Sequence, residues 1–278
     1  MKKINISIIT AVLLCMITVF AGCNDKVDSK VENNDNSYGV FLDCDASNMP
    51  RNITSYKTIV IDAQNFEDSD INKLKAQGCT VYSYLNVGSL ENFRPYYKRF
   101  ENLILSKYDN WEEEFWVDVS DEQWQDFIVQ TVATETASKG VNGFFIDNTD
   151  VYYHYKTDNI YEGLNNMMSG LKKLGLPVII NGGDVYMQRL IKENRQGLID
   201  GINQECVFSK ISDYEKDEFG KNIETTRQYY IDYLQSCKEK GLAVYLIEYT
   251  VDRALIEDIV SYCRNNGFKY YISDTVNL

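Results

Sequence analysis

Histidine is almost absent from this chain, which contains a single one, His154. A Ser–His–Asp triad and a multi-histidine metal site are therefore nearly excluded. Cysteine occurs seven times, but no C-x-x-C pair is present and a structural zinc site is not expected. We predict isolated buried thiols, with one or two disulfides as the alternative, for Cys44, Cys79, Cys206, Cys237 and Cys263. Hydrolytic chemistry in this chain has to rest on carboxylates.

Positive charge is also scarce. The chain has 28 Lys and Arg against 41 Asp and Glu, which gives a net charge of −13. Binding of nucleic acid requires clustered Lys and Arg side chains, so nucleic acid is not an expected partner. An acidic surface attracts cationic substrates at long range, although solubility alone is an equally good explanation for it.

The N-terminus carries the one long apolar run, "ISIITAVLLCMITVF", between two lysines and "AGC". This is the pattern of a secretory signal, and Cys23 with its preceding small residues resembles the lipobox of bacterial lipoproteins. We therefore expect residues 1–22 to be a signal peptide. The mature protein would lie outside the cytoplasm of a bacterium, anchored to the cell membrane through lipidated Cys23 alone. A plain signal peptide or a membrane anchor is the alternative.

The residues after Cys23 are polar and charged, "NDKVDSKVENNDNS", and predict a flexible tether over residues 23–37. The remaining residues, 38–278, are enough for one large α/β domain, and we expect a monomer.

A unit of helix, glycine and apolar strand recurs in this domain, for example in "INKLKAQGCTVYSYL" and "YLQSCKEKGLAVYLIEY". Each glycine stands where the C-terminus of a helix needs a left-handed backbone. The glycines in this position are Gly78, Gly140, Gly175, Gly241 and Gly267.

The strands of these units predict an α/β fold, a (β/α)8 TIM barrel. They are apolar on both faces, as parallel strands covered by helices are. Eight of them begin near positions 38, 58, 79, 142, 177, 200, 243 and 269, and eight β/α units in about 240 residues are typical of a barrel. A doubly wound sheet is the alternative, but no G-x-G-x-x-G follows the first strand.

Polar residues follow every predicted strand, as in "DAQN", "DNTD", "NGGD" and "NQE". In a parallel barrel they gather at the C-terminal rim, where TIM-barrel enzymes have their active sites. The connection from the third to the fourth strand is too long for one crossover and contains all three tryptophans. We expect Trp116 and Trp124 to pack over the barrel and Trp111 to be exposed, where it could stack on a sugar.

Two acids end strands that face the same cavity. Asp147 ends the fourth strand in "GFFIDNTDVYY", and Glu205 ends the sixth. Two carboxylates placed in this way can flank a glycosidic bond as nucleophile and general acid/base. Burial or the neighbouring charge would raise the pKa of the acid. The structural alternatives are a helix cap for Asp147 and an ion pair between Glu205 and Arg94.

Six motifs resemble, in order and spacing, those of glycoside hydrolase family 114, which consists of TIM-barrel endo-α-1,4-polygalactosaminidases. The motifs are "YLNVGSLENFRPYY", "FWVDVSDEQWQDF", "GFFIDNTDVY", "VIINGG", "INQECVF" and "YLIEYT". The resemblance covers essentially all of residues 38–278. The resemblance implies retaining cleavage of α-1,4-linked galactosamine polymers without a metal or an organic cofactor. It also implies that Asp147 is the nucleophile and Glu205 the acid/base.

Further rim residues are expected to bind the substrate, a cationic or amino-sugar polysaccharide, since carboxylates there could bind the ammonium groups of a deacetylated polymer. Asp150 could instead be an N-cap of the next segment. The predicted substrate-binding residues are Asp62, Arg94, Trp111, Asp150, Asn181, Glu248 and Tyr249.

Two positions depart from the family pattern. Ser89 stands where an acid is frequent, and Glu248 stands where aspartate usually precedes tyrosine. These departures concern sugar preference or cleavage pattern, since both central acids are in place. A glycosidase of the same fold acting on another exopolysaccharide is one alternative. The other is a non-catalytic carbohydrate-binding lipoprotein.

Overall fold

The computed structural model describes residues 36–109 and 111–278. The predicted signal peptide, Cys23 and all but the last two residues of the predicted tether lie outside the described residues. Within that part of the chain, no helix combines the length and the apolar character needed to cross a membrane.

Eight parallel strands form one sheet that curves into a nearly closed TIM barrel, which confirms the predicted fold. Each strand pairs with its neighbours in chain order, and the last lies beside the first. Every strand begins within one residue of its predicted position. The strands are β1 (Tyr38–Phe41), β2 (Thr58–Ile61), β3 (Thr80–Asn86), β4 (Gly143–Asp147), β5 (Val178–Asn181), β6 (Gly201–Glu205), β7 (Ala243–Tyr249) and β8 (Lys269–Ser273).

Helices connect the strands. They are α1 (Asp68–Ala76), α2 (Tyr97–Phe100), α3 (Glu122–Asp126), α4 (Thr134–Ser138), α5 (Val151–His154), α6 (Asp158–Lys173), α7 (Asp184–Lys192), α8 (Glu224–Glu239) and α9 (Arg253–Asn266). A π-helical stretch, Phe127–Ala133, joins α3 to α4.

Helix α9 shows how the sequence sets the ends of a helix. At its start, Asp252 Oδ1 accepts a hydrogen bond from Ala254 N at 2.9 Å, which satisfies one of the free N–H groups there. At its end, Gly267 adopts a φ of 69°, a left-handed conformation that costs glycine nothing. The other four glycines predicted at helix ends also have positive φ.

Two additions interrupt the β/α repeat. The β3–β4 connection contains a three-stranded antiparallel sheet made of Ser89–Glu91, Ile104–Lys107 and Glu114–Val117. The β6–β7 connection contains a hairpin made of Ser209–Asp213 and Glu218–Lys221. The sequence predicted the first only as a long connection and missed the second.

Four of the five thiols and two of the tryptophans are buried, as predicted. Trp116 and Trp124 are buried. None of the five cysteines in the described residues forms a disulfide; Cys206 is half-buried and the other four are buried.

Alternation along the barrel strands decides which side chains face the barrel interior. In β4, Phe144 and Ile146 belong to the core between strands and helices, whereas Phe145 belongs to the cluster inside the barrel. Successive side chains of a strand point to opposite faces, so Asp147 falls on the interior face with Phe145. By the same count, Glu205 of β6 also falls on the interior face.

Candidate active site

A cavity of about 590 Å³ opens at the C-terminal ends of the barrel strands. Residues of both additions line it together with the strand ends, and Arg94 is the one lysine or arginine among its described lining residues. The cavity is therefore strongly negative. Its acidic lining residues are Asp43, Asp62, Glu91, Glu112, Glu113, Glu114, Asp147, Asp150, Asp184 and Glu205.

The predicted pair of acids meets in this cavity at one side-chain nitrogen. Asn181 Nδ2 donates to Asp147 Oδ1 at 3.0 Å and to Glu205 Oε1 at 2.7 Å. The two distances together set an upper limit of 5.7 Å on the separation of these two oxygens. The alternative role of Glu205, an ion pair with Arg94, is not observed, because Arg94 pairs with Asp62 and Glu91.

A relay of polar side chains inside the barrel fixes the orientation of Asn181. Tyr38 OH donates to Asn203 Oδ1 at 3.1 Å, and Asn203 Nδ2 donates to Asn181 Oδ1 at 2.6 Å. Because the amide oxygen of Asn181 is thus an acceptor, its nitrogen faces the carboxylates. Sequence reasoning missed Tyr38 and Asn203, although both fall on interior positions of their strands.

The charge of Glu205 affects the ionisation of Asp147. Burial and the charge of Glu205 raise the pKa of Asp147 to about 6, although the Asn181 amide works in the opposite direction. The charged form of Asp147 is therefore disfavoured both by its surroundings and by its neighbour. Tyr249 OH donates to the second oxygen of Glu205, Oε2, at 2.7 Å and helps to fix its orientation.

The residue after each of these three side chains is in the left-handed conformation. Asn148, Gly182 and Cys206 have φ values of 64°, 63° and 55° and follow Asp147, Asn181 and Glu205. For a residue such as Cys206 this conformation costs about 1–2 kcal/mol, and such strain is frequent at functional sites. At each of the three positions the chain leaves the strand directly after the side chain that faces the cavity.

Asp150 lies beside the pair and is half-buried. Both of its oxygens lie 3.1 Å from Gly183 N, so it binds the N–H group ahead of α7 and does not cap α5, the segment that follows it. Burial raises the pKa of Asp150 to about 7.

Arg94 and Asp62 form a buried ionic cluster with Glu91 at the cavity wall. Arg94 Nη1 donates to Asp62 Oδ2 at 2.7 Å, and Arg94 Nε donates to Glu91 Oε2 at 2.5 Å. Arg94 is only 6% exposed. Its guanidinium is engaged by the two acids, so its contribution to the site is to hold this wall together.

Glu248 does not lie where the sequence prediction placed it. Tyr249 falls on the interior face of β7, so Glu248 falls on the outer face, where it is 0% exposed and does not line the cavity. Its carboxylate accepts from the backbone N–H groups of Val207, Phe208 and Ser209 at 2.8 to 3.2 Å. The expected contact of Glu248 with substrate is therefore wrong. The residue holds the chain that follows Glu205.

Two aromatic residues from the two additions meet at the cavity. Trp111 is 40% exposed, as predicted, and its ring centroid lies 6.1 Å from that of Tyr214 in the hairpin at an interplanar angle of 79°. Both residues line the cavity. Sequence reasoning missed Tyr214, since the hairpin that carries it was not predicted.

A parallel eight-stranded barrel with two close carboxylates at its C-terminal rim is the arrangement of a glycoside hydrolase. The model of glycoside-hydrolase family GH114 matches residues 25–276, and the chain belongs to that family. It is a glycosidase.

Solved structures show the same barrel. The chain is similar to the glycoside hydrolase domain of PelA from Pseudomonas aeruginosa, with 17% identity and a TM-score of 0.70 over 87% of this chain and 95% of that chain. It is also similar to Ega3 from Aspergillus fumigatus in complex with galactosamine, with 18% identity and a TM-score of 0.68 over 87% of this chain and 92% of that chain. No match was found among curated proteins.

Proposed function

We propose that this glycosidase hydrolyses an α-1,4-linked galactosamine polymer with retention of configuration, with Asp147 as the nucleophile and Glu205 as the general acid/base. The observation that carries the proposal is the single Asn181 nitrogen that binds both carboxylates and limits their nearest oxygens to 5.7 Å. Retaining enzymes place these groups about 5–5.5 Å apart, whereas inverting enzymes need about 6.5–9.5 Å to admit a water.

The reaction follows in two steps. Asp147 attacks the anomeric carbon while the bond to the leaving oxygen breaks, and Glu205 transfers its proton to that oxygen. Glu205, now ionised, takes a proton from water, which attacks the same carbon and breaks its bond to Asp147. Glu205 ends protonated and Asp147 ionised, so the enzyme returns to its starting state.

The first step requires an ionised Asp147 and a protonated Glu205. Part of the rise in the pKa of Asp147 comes from the charge of Glu205. With Glu205 protonated, as the general acid has to be, that repulsion is absent and Asp147 ionises more readily. A binding protein without turnover would not need two half-buried acids held by one donor, which argues against the non-catalytic alternative.

The galactosamine polymer is proposed from the family motifs, from the negative cavity and from the complex of Ega3 with galactosamine. In this proposal Trp111 stacks on a sugar, while Asp62, Asp150, Asn181 and Tyr249 contact polar groups of the polymer. Each of these five residues lines the cavity.

The sequence also supports a proposed location. The apolar run and the "AGC" ahead of the tether suit export and lipidation of Cys23, which would anchor the enzyme outside the cytoplasm. Radiolabelled palmitate should be incorporated into the wild type and not into the Cys23→Ala variant; equal incorporation in both would contradict the anchor.

The test of the activity is reducing-end release from α-1,4-galactosamine polymers, fully and partly acetylated. Asp147→Asn and Glu205→Gln should each lower kcat by 10³-fold or more, roughly the loss expected of an essential group. The control is Glu135→Gln, which removes one carboxylate from the exposed outer surface of α4. Full activity in either active-site variant, with wild-type folding, would refute the assigned roles. Binding without turnover by the wild type would favour the non-catalytic alternative.

A further inference from the structure

A third carboxylate, Glu114, lies next to the proposed nucleophile without belonging to the barrel. Glu114 is the first residue of the strand Glu114–Val117 in the three-stranded sheet, where it pairs with Glu91. It lines the cavity together with Asp147. The short sheet thus extends over the ends of β3 and β4 and adds an acid beside Asp147 and Glu205, which come from strand ends.

Three neutral donors hold one oxygen of Glu114. Its Oε2 accepts from Ser89 Oγ at 2.6 Å, from Asn148 Nδ2 at 3.1 Å and from Asn86 Nδ2 at 3.5 Å. Asn148 directly follows Asp147, and Asn86 lies opposite Asp147 in the β3–β4 register. The orientation of Glu114 is therefore set by the same residues that surround the nucleophile.

The other oxygen of Glu114, Oε1, receives no hydrogen bond from residues 36–109 or 111–278. Among the same residues no lysine or arginine forms an ion pair with Glu114, and Arg94 is engaged by Asp62 and Glu91. Burial and the charges of Glu91 and Asp147 raise the pKa of Glu114 to about 7. A carboxylate so placed is stabilised by a cationic ligand that donates to its second oxygen.

The other acids near Asp147 are less available to a ligand. Both oxygens of Asp150 bind Gly183 N, and Asp62 and Glu91 are paired with Arg94. Glu114 combines an unengaged oxygen with a fixed position next to the nucleophile.

The chemistry of the substrate indicates which group reaches this position. In the retaining step, Asp147 bonds to C1 of the sugar, and C2 with its amine is the neighbouring carbon. We propose that Glu114 binds the C2 ammonium of the sugar attacked by Asp147 and so selects the free amine over the N-acetyl group. This assignment rests on the proposed function. An N-acetyl group is neutral and cannot form the ion pair.

The experiment compares hydrolysis of fully deacetylated and fully N-acetylated α-1,4-galactosamine polymers by wild type, Glu114→Gln, Glu113→Gln and Asp150→Asn. Glu114→Gln keeps the size of the side chain and removes its charge. It should lower kcat/KM on the deacetylated polymer by about 10- to 100-fold, the loss of a charge-assisted hydrogen bond, and leave the acetylated polymer within about twofold. Glu113→Gln removes the same charge from the exposed neighbouring residue and should have a smaller effect.

Two outcomes would overturn the assignment. An equal loss on both polymers would mean that Glu114 only supports Asn148 and Asp147. Loss of selectivity in Asp150→Asn, with selectivity intact in Glu114→Gln, would place the ammonium at Asp150.

A binding measurement separates failure of this assignment from failure of the proposed function. Oligomers of galactosamine and N-acetylgalactosamine are titrated into Asp147→Asn, with and without Glu114→Gln. If the wild type hydrolyses neither polymer, the proposed function fails. The affinity ratio of the two oligomers still decides whether Glu114 selects the amine, because the ratio should fall by about tenfold or more when Glu114 is replaced.

Discussion

Asn181 is the residue that contacts both proposed catalytic carboxylates. It holds two carboxylates that repel each other, and it is itself oriented by Asn203. An amide suits this position because it supplies two N–H donors without adding charge. A hydroxyl has only one proton to donate, and a lysine would add a positive charge between the two acids.

Replacement of Asn181 by alanine should change both the rate and its pH dependence. The Asn181 amide lowers the pKa of Asp147, which burial and Glu205 raise to about 6 overall. Its removal raises that pKa further, so the acidic limb of kcat/KM should move to higher pH. We expect kcat to fall about 10- to 100-fold, since a mispositioned acid pair loses transition-state stabilisation.

The measurement is a pH–rate profile of wild type and Asn181→Ala beside Asn166→Ala, which removes an exposed amide from α6. An acidic limb at the wild-type position would mean that Asn181 does not act through the carboxylates.

The positions of Asp147 and Glu205 could be predicted because each ends a recognisable apolar strand. Glu248 was assigned wrongly because the prediction considered only its position near the C-terminal end of the strand. It ignored that successive side chains of a strand point to opposite faces. The neighbouring Tyr249 has the interior position, and one residue of difference moves a side chain to the opposite face. Glu114 could not be predicted as a site residue, because its position depends on how the β3–β4 connection folds. The sequence of that connection has no regular pattern of apolar residues.

At the scale of elements, the barrel could be read from the sequence and the two additions could not. The β/α units repeat, and each carries a glycine at the end of its helix. The added strands are short, and their sequences, such as "ILSK" and "EFGK", are neither continuously apolar nor strictly alternating. Their positions are set by tertiary contacts such as the hydrogen bonds to Glu114, which no local propensity records.

The hairpin depends on Glu248, which binds the three successive N–H groups leading into it. Glu248→Ala leaves these buried donors without an acceptor and creates a void. We expect a loss of about 3 kcal/mol or more in the free energy of unfolding. Glu248→Gln keeps one acceptor oxygen and should lose less.

Urea denaturation measures this effect. The matched control is Glu257→Ala on the exposed face of α9, for which a change within about 0.5 kcal/mol is expected. Equal stabilities of Glu248→Ala and the control would show that the N–H groups find other acceptors.

At the scale of the whole molecule, the net charge and the cavity have the same sign. The chain carries a net charge of −13, and acids outnumber the single arginine along the described cavity wall. For a neutral substrate this charge contributes only solubility. For a polymer with one ammonium group per sugar it increases the rate of encounter and the local concentration of substrate.

Hydrolysis of a neutral polymer and of a cationic polymer should respond differently to salt. Raising ionic strength from about 0.01 M to about 1 M shortens the screening length from about 30 Å to about 3 Å. The KM for a deacetylated polymer should therefore rise by about tenfold or more. The kcat should change little, because screening acts on the long-range approach of the polymer and much less on the short contacts within the bound complex. For the N-acetylated polymer the KM should stay nearly constant, and this polymer is the internal control.

Equal salt dependence for both polymers would mean that the acidic surface plays no part in recognising the substrate. A salt effect confined to the deacetylated polymer would assign the negative charge of the molecule to the capture of a polycation.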